Sequence, residues 1–297
     1  MSSSSWAEQF VDQGYLVAPD LVSRQERAAV IADTARFARG DYPVVNPPTL
    51  PEGDDDDDEA THHVLAVHFP HWVSPVALDM VRHPGVVDVL SRVTGAHLPH
   101  WDGAVKCCQS MLFVKGPDMP GQAWHQDERY IPTRDRSLVG AWIALDDATI
   151  DNGCLWVVPG SNRHGYLHPT RSHDQPDEYD TSDCAYGFDE ADGIPVEVAA
   201  GSVVFFNGYL LHRSLRNRTN GFRRALVNHY LNAWSLLPWS RAPSVAGISI
   251  PTLDNRAVVA IGDDPYARKG YSAPPKQCFL RPLPGESWPV VDVNPDS

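Results

Sequence analysis

Within WHQDERY, which starts at Trp124, a histidine and a carboxylate, His125 and Asp127, stand two residues apart. On an extended chain alternate side chains share a face, so imidazole and carboxylate can reach one metal ion together while Gln126 points the other way. A third ligand must come from elsewhere in the fold. His212, in the later run LLHRS, is the best candidate, although the chain has 13 histidines and others stay open as the third ligand. Two histidines and one carboxylate occupy one face of an octahedron and leave the opposite positions free, a geometry that suits non-haem Fe(II) oxygenases.

Such ligands need rigid strands to hold them. From about Lys106 the pattern is one of short segments rich in β-branched and aromatic residues: KCCQSMLFVKG, GAWIALDD, CLWVVPGS, SVVFFNGYLLHRS and RRALVNHYLNAW. Asp151-Asn152-Gly153 is a turn signal between two of them. Short strands separated by turns predict an antiparallel sandwich or barrel rather than a parallel sheet. The first hundred residues read as mostly helical: a helical start, a short extended piece GYLVAPD, a helix capped by Ser23, and a second helical stretch, SPVALDMVRHPGVVDVLSRVTG, broken at Pro84. The acidic run Asp54 to Asp58 lacks the glycine-punctuated spacing of an EF-hand and reads as a solvated surface loop. HPTRSHDQPDEYDTSDCAYGFDEADGIP, from His168 to Pro195, is polar and poor in pattern; a loop of that length in a compact domain is functional or disordered.

The chain has 297 residues, ample for a buried core, and a net charge of -14. That charge, with no evident basic patch, argues against nucleic acid and anionic membranes as partners. No apolar run approaches the ~20 residues of a membrane helix. MSSSSWAEQF lacks the basic start and apolar stretch of a signal peptide, so a cytoplasmic protein is expected. Five cysteines (Cys107, Cys108, Cys154, Cys184 and Cys278) form no C-x-x-C pair and no even framework, so reduced thiols are expected.

From Met111 to Tyr230 the chain resembles the phytanoyl-CoA dioxygenase family of Fe(II)/2-oxoglutarate oxygenases. The matching pieces are MLFVKGPD, WHQDERYIPTR, GAWIALDDATIDNGCLWVVPGSNRHG and HRSLRNRTNGFRRALVNHY, in family order, and QGYLVAPDLVS fits the family's opening. The likeness is weak over 36–100 and after 235. It implies a mainly β fold with flanking helices and a double-stranded β-helix (jellyroll, cupin-like) core. It also implies a single oxygenase domain over 1–297: helical support over 1–100, jellyroll core over 101–235 with 168–195 as a lid, and a proline-rich cover over 236–297.

The family motif is H-x-D, a distant His, then an Arg about eleven residues on. Carried over, His125, Asp127 and His212 resemble the iron ligands, and Arg223 resembles the partner of the distal carboxylate of 2-oxoglutarate. A guanidinium fork suits that carboxylate. Arg224 competes for the role but falls on the opposite face of the strand. Ser214 resembles the serine that assists the carboxylate, and Met111 and Trp142 match positions lining the cosubstrate pocket. Arg213 stands where the family often has Gly, and alternation turns it away from the metal. Retention of Asp127 argues for oxygenation, since related halogenases replace this carboxylate with a small residue.

The activity this implies is hydroxylation of an unactivated C–H bond of a small molecule, with 2-oxoglutarate converted to succinate and CO2 and O2 consumed. Desaturation or ring formation would use the same iron site, and an acyl-CoA substrate is possible by family name; the acidic surface favours a free metabolite. Substrate contacts are expected from His68 and Trp72, in a region that packs over the barrel mouth, from Arg129 and Tyr130, which follow the ligands, and from Tyr186. Arg129 shares the ligand face if the strand continues. The competing reading is a non-redox cupin-like metalloenzyme, which needs no arginine at position 223. No protein partner is evident in the sequence.

Overall fold

The computed structural model describes residues 3–50, 56–237, 256–271, 273–281 and 283. The N-terminal part contains helix α1 (Ser3–Gln13), strand β1 (Tyr15–Ala18), helix α2 (Arg24–Arg39), helix α3 (Asp57–His62), strand β2 (Ala66–His68) and helices α4 (Pro75–Val81) and α5 (Pro84–Val93). Ser23 caps α2 in a reciprocal box with Glu26, and Gly40 ends it in the left-handed region. Ser74 caps α4 and the His83 side chain caps α5, so the break at Pro84 falls where the sequence places it. Of the acidic run, Asp54 and Asp55 lie outside the described residues. Asp56 caps α3 and Asp57 and Asp58 form its first turn, where carboxylates meet the positive end of the helix dipole, so this half is helix rather than loop.

The strands that follow are β3 (Val105–Lys115), β4 (Gln122–His125), β5 (Val139–Ala144), β6 (Leu155–Val157), β7 (Thr170–Arg171), β8 (Cys184–Ala185), β9 (Ile194–Val196), β10 (Val203–Asn207), β11 (His212–Ser214), β12 (Arg223–Asn232), β13 (Val258–Ile261) and β14 (Phe279–Arg281). With β1 and β2 they build two larger antiparallel sheets and a separate two-stranded one, β7-β8. The major sheet runs β1-β10-β5-β12-β3-β2-β14, with β13 also paired to β3; the minor sheet runs β4-β11-β6-β9. This is the strand-rich jellyroll expected.

Two regions do more than their composition suggests. The helical N-terminal part supplies β1 to one edge of the major sheet and β2 to its other side. The proline-rich tail supplies β13 and β14. The stretch 168–195 is also more structured than its pattern. It holds the β7–β8 hairpin and a 3-10 turn at Glu190–Asp192, and it enters β9. Its Ala185, Cys184 and Phe188 pack with Trp124 and Leu211 on the face of the minor sheet opposite His125 and His212.

Alternation along the strands of the major sheet separates two cores. Outward-facing Leu112, Val114, Ile143, Phe205 and Leu226 join Val86, Val89, Leu90 and Val93, the i, i+3, i+4, i+7 stripe of α5. Inward-facing Trp142, Ala144, Val204, Phe206, Ala225 and Val227 meet Leu155, Val157 and Leu210 from the minor sheet side. Burying each large aliphatic side chain stabilises by about 1.5–3 kcal/mol, so the helices fix the rigid wall against which the site is built. Among the described residues no helix is long and apolar enough to cross a membrane. All five cysteines are free.

Candidate metal centre

His125 ends β4 and His212 begins β11, and the two are directly opposite in the antiparallel pair. Their ring centroids are 4.1 Å apart. Gln126 keeps extended geometry (φ -131, ψ 124), so Asp127 returns to the side of His125 before the chain turns into a 3-10 helix, Asp127–Arg129. The ligating atoms of His125, Asp127 and His212 all lie within 4.8 Å of one another. Asp127 Oδ1 is 3.6 Å from each histidine Nε2.

The ring tautomers follow from the backbone. His125 Nδ1 is 2.7 Å from the Ala123 carbonyl and His212 Nδ1 is 2.9 Å from the Leu210 carbonyl. A carbonyl only accepts, so each Nδ1 carries a proton, and in the neutral ring Nε2 then presents its lone pair to the centre. Burial, then the neighbouring His125, pushes His212 down to about 4, which keeps it neutral and able to ligate. Burial works to raise Asp127, but His212 and His229 outweigh it and hold the carboxyl well below its usual range. His229 Nε2 lies 2.8 Å from Asp127 Oδ2, the oxygen turned away from the histidine pair.

Gln126, between the ligands, is buried and fully engaged. Its Nε2 donates to the carbonyls of Tyr166 (2.9 Å) and Tyr209 (2.7 Å), and its Oε1 accepts from the His168 N–H (2.8 Å). It thereby ties the ligand strand to the start of the 168–195 stretch.

Arg223 opens β12 opposite Lys115, the last residue of β3. It is buried, its guanidinium lies 5.4 Å from the Trp142 ring centre, and its Nε has no hydrogen-bond partner among the described residues. Burial pulls it down to about 10. Arg224 faces the other way and grips Asp146 through Nε (2.9 Å) and Nη2 (3.0 Å). A buried guanidinium without a carboxylate, beside three metal-competent side chains, fits a bound carboxylate ligand; Arg224 is already satisfied. Ser214, two residues past His212, and Lys115 are hydrogen-bonded at 3.0 Å. Met111 and Trp142 flank Val227 on its two neighbouring strands, facing inward with it.

The candidate substrate residues fare differently. His68 sits in β2 directly opposite Met111 and so shares its inward face; it is buried, with burial pushing it down to about 3. Trp72 stacks on Phe69 at 4.0 Å and meets Phe279 edge-on, a packing position. The strand does not continue through Arg129. The 3-10 turn cancels the alternation that would have put it on the ligand face, and Arg129 is exposed with no ion pair among the described residues. Tyr130 is exposed with its ring 6.4 Å from that of His125. Tyr186 is exposed, with the Arg171 guanidinium 4.8 Å from its ring centre. Lys115, His229 and Gln126 were not picked out from sequence. The signal lay in parity: Lys115 shares the face of Met111, and His229 that of Arg223.

Residues 10–225 match the family model described as Phytanoyl-CoA dioxygenase (PhyH). The phytanoyl-CoA dioxygenase of Arabidopsis thaliana is 34% identical over 126 residues, covering 42% of this chain and 44% of that one. A probable phytanoyl-CoA dioxygenase of Caenorhabditis elegans is 36% identical over 168 residues, covering 53% and 51%. The chain thus spans about half the length of these curated relatives. In fold it is similar to the non-heme monooxygenase ThoJ, with a TM-score of 0.63 at 19% identity over 96% of this chain and 90% of that one. The chain belongs to the phytanoyl-CoA dioxygenase (PhyH) family of iron- and 2-oxoglutarate-dependent oxygenases, and the site just described carries donors fitted to both groups.

Proposed function

We propose that this protein hydroxylates an unactivated C–H bond of a small-molecule metabolite, using Fe(II), 2-oxoglutarate and O2. The observation that carries the reading is the pairing of two features on one interior face. One is a His/Asp/His set whose tautomers are already those of ligands; the other is the buried Arg223 guanidinium with no carboxylate partner. A non-redox metalloenzyme has no use for the second feature.

His125, Asp127 and His212 would hold the iron. Arg223 and Ser214 would take the distal carboxylate of 2-oxoglutarate, with Trp142 and Met111 as walls. Bound there, iron and 2-oxoglutarate supply the oxidising chemistry, in which the 2-oxo acid loses CO2 and becomes succinate while O2 is reduced and one oxygen atom enters the substrate. The chain's own part is orientation and exclusion of water. Phe206, whose ring is 4.7 Å from that of His212, and Trp142 keep the ligand pair dry on the interior side. Arg129, Tyr130 and Tyr186 are the proposed substrate contacts, since all three are exposed and Tyr130 adjoins His125.

A free metabolite is favoured over an acyl-CoA by the net charge of -14, which repels a polyanionic nucleotide tail. The names of the curated relatives favour the acyl-CoA. Five free thiols fit a reducing, cytoplasmic setting. The deciding experiment is succinate release from Fe(II)-loaded protein across a panel of metabolites and acyl-CoA thioesters. Release coupled to a free metabolite supports the reading. Coupling to acyl-CoAs alone replaces the substrate class, and binding of Fe(II) without 2-oxoglutarate overturns the activity.

A further inference from the structure

Ser214 Oγ is surrounded by donors. Lys115 Nζ lies 3.0 Å away and the Gln122 backbone N–H 3.3 Å away. A hydroxyl has two acceptor positions and one proton. With both acceptor positions filled, the proton must go elsewhere, and Ser214 donates to no group among the described residues. Lys115 is itself held in place: its Nζ also donates to the Leu215 carbonyl at 2.5 Å. Space for the ammonium depends on Gly153, where a Cβ would come within 2.9 Å of Lys115 Nζ and 2.2 Å of the Leu215 oxygen. Gly153 has φ +81, a conformation that favours glycine in any case.

Lys115 and Arg223 face each other in register, so both side chains leave the same side of the sheet. Both are buried, and neither has a carboxylate within ion-pair distance among the described residues. Two cations side by side in a low-dielectric interior destabilise one another, and the carboxylates that act on them, Asp180 and Glu178 on Lys115 and Asp146 on Arg223, do so from beyond ion-pair distance. Burial, and next the Arg223 charge, weaken the hold of Lys115 on its proton; a carboxylate arriving beside the pair counters that second effect.

We infer that Lys115 is a positioning residue for the cosubstrate: it locks Ser214 as a hydrogen-bond donor and gives the Arg223 end of the site a second positive charge, selecting a 2-oxo dicarboxylate over a 2-oxo monoacid. The inference rests on the reading of the site as a 2-oxoglutarate site. Lys115 acts through Ser214 and through its charge; Arg223 makes the fork.

The test is binding of 2-oxoglutarate and of pyruvate, which lacks the distal carboxylate, to anaerobic Fe(II)-loaded protein, followed by the metal-to-ligand absorption band. Fe(II) affinity and melting temperature are measured alongside. Lys115→Met should weaken 2-oxoglutarate by roughly 30-fold or more, the cost of breaking a buried, hydrogen-bonded charge contact. Pyruvate and Fe(II) affinities should stay within about twofold, the range expected of a site not coupled to the change. Ser214→Ala should cost much less in the Lys115→Met background than alone. Lys115→Arg, which keeps the charge, should recover part of the discrimination and serves if the Met variant does not fold. Unchanged 2-oxoglutarate affinity in folded Lys115→Met or Lys115→Gln overturns the inference, as does an equal Ser214→Ala cost in both backgrounds. If the wild-type protein and Arg223→Ala alike bind no 2-oxoglutarate, the underlying reading fails instead.

Discussion

Asp127 divides its two oxygens between different histidines. Oδ2 meets His229 Nε2 at 2.8 Å, while Oδ1 stands 3.6 Å from Nε2 of both His125 and His212. With the Nε2 atoms of His125 and His212 on the same side, only Oδ1 faces the candidate metal position, and His229 holds Oδ2 out of it. One coordination position is thereby kept from a second carboxylate oxygen. His229 Nδ1 is buried with no partner among the described residues, so the ring can serve in one tautomer, as an Nε2–H donor.

Replacing His229 with Leu should therefore weaken Fe(II) binding by about 10–100-fold, as removal of a partner to a metal ligand generally does. Gln at this position can return an N–H near Nε2 and should recover part of the loss. Titration with Fe(II) or Mn(II), with the fold checked by circular dichroism, measures both. Equal metal affinity in His229→Leu would assign His229 to packing alone.

Arg223 and Arg224 are neighbours with opposite fates. Arg223→Ala should cost about 2–5 kcal/mol of 2-oxoglutarate binding, the range for removing one partner of a buried charge pair. Lys at 223 cannot supply the planar fork and should not restore it. Arg224→Ala removes a part-exposed pair with Asp146 and should cost about 1 kcal/mol of stability or less, with cosubstrate binding intact. A 2-oxoglutarate titration of each variant against its urea midpoint separates the two outcomes.

Acid should unfold the metal-free protein in a defined window. His212 and His71 are pushed by burial from near 6.5 down to about 4, and His68 down to about 3. For each, the unfolded chain takes up a proton before the folded one does. Stability is thus full above about pH 6.5 and falls as pH drops toward 4. At 1.36 kcal/mol per pKa unit, His212 and His71 each contribute up to about 3 kcal/mol and His68 up to about 5 kcal/mol. The low carboxyl of Asp127 acts in the same direction at lower pH. Urea midpoints measured every half unit should decline across this range; a flat profile from pH 6.5 to about 4.5 contradicts the assignment of neutral buried rings.

Gly140 is a position where size is limited by contact. It pairs with His229 on β12 and Phe206 on β10, and a Cβ there would lie 2.3 Å from the Phe206 ring. That ring in turn packs on His212. Gly140→Ala should destabilise by about 1–3 kcal/mol through overpacking, and the displaced ring should lower metal affinity too. Denaturation and Fe(II) titration test the two effects separately.

Parity and spacing carried much of this in the sequence. His125 and Asp127 share a side because one extended residue separates them, and the choice between Arg223 and Arg224 is a question of strand face. Parity puts His229 on the face of Arg223, but its partner Asp127 is 102 residues away in the chain, so its role needed the long-range contact that parity alone does not give. Lys115 was hidden for the same reason, since it becomes meaningful through its register with Arg223. The shared face expected of Arg129 is lost because a 3-10 turn interrupts the strand directly after Gln126. β13 and β14 went unread because they are short, flanked by prolines, and gain stability from partners distant in the chain.

The direct opposition of His125 and His212 across β4 and β11 has a consequence for synthesis. A chain leaving the ribosome presents His125 and Asp127 early, two residues apart at the end of one short strand. The third appears only after β10 has emerged, and it reaches the other two only when β11 has paired with β4. Until then the three donors are not together, so on the proposed site a nascent or half-folded chain would lack the pocket that holds iron. Metal loading at the proposed site would in this sense be a proofreading step: the ion would be retained by chains whose minor sheet has closed.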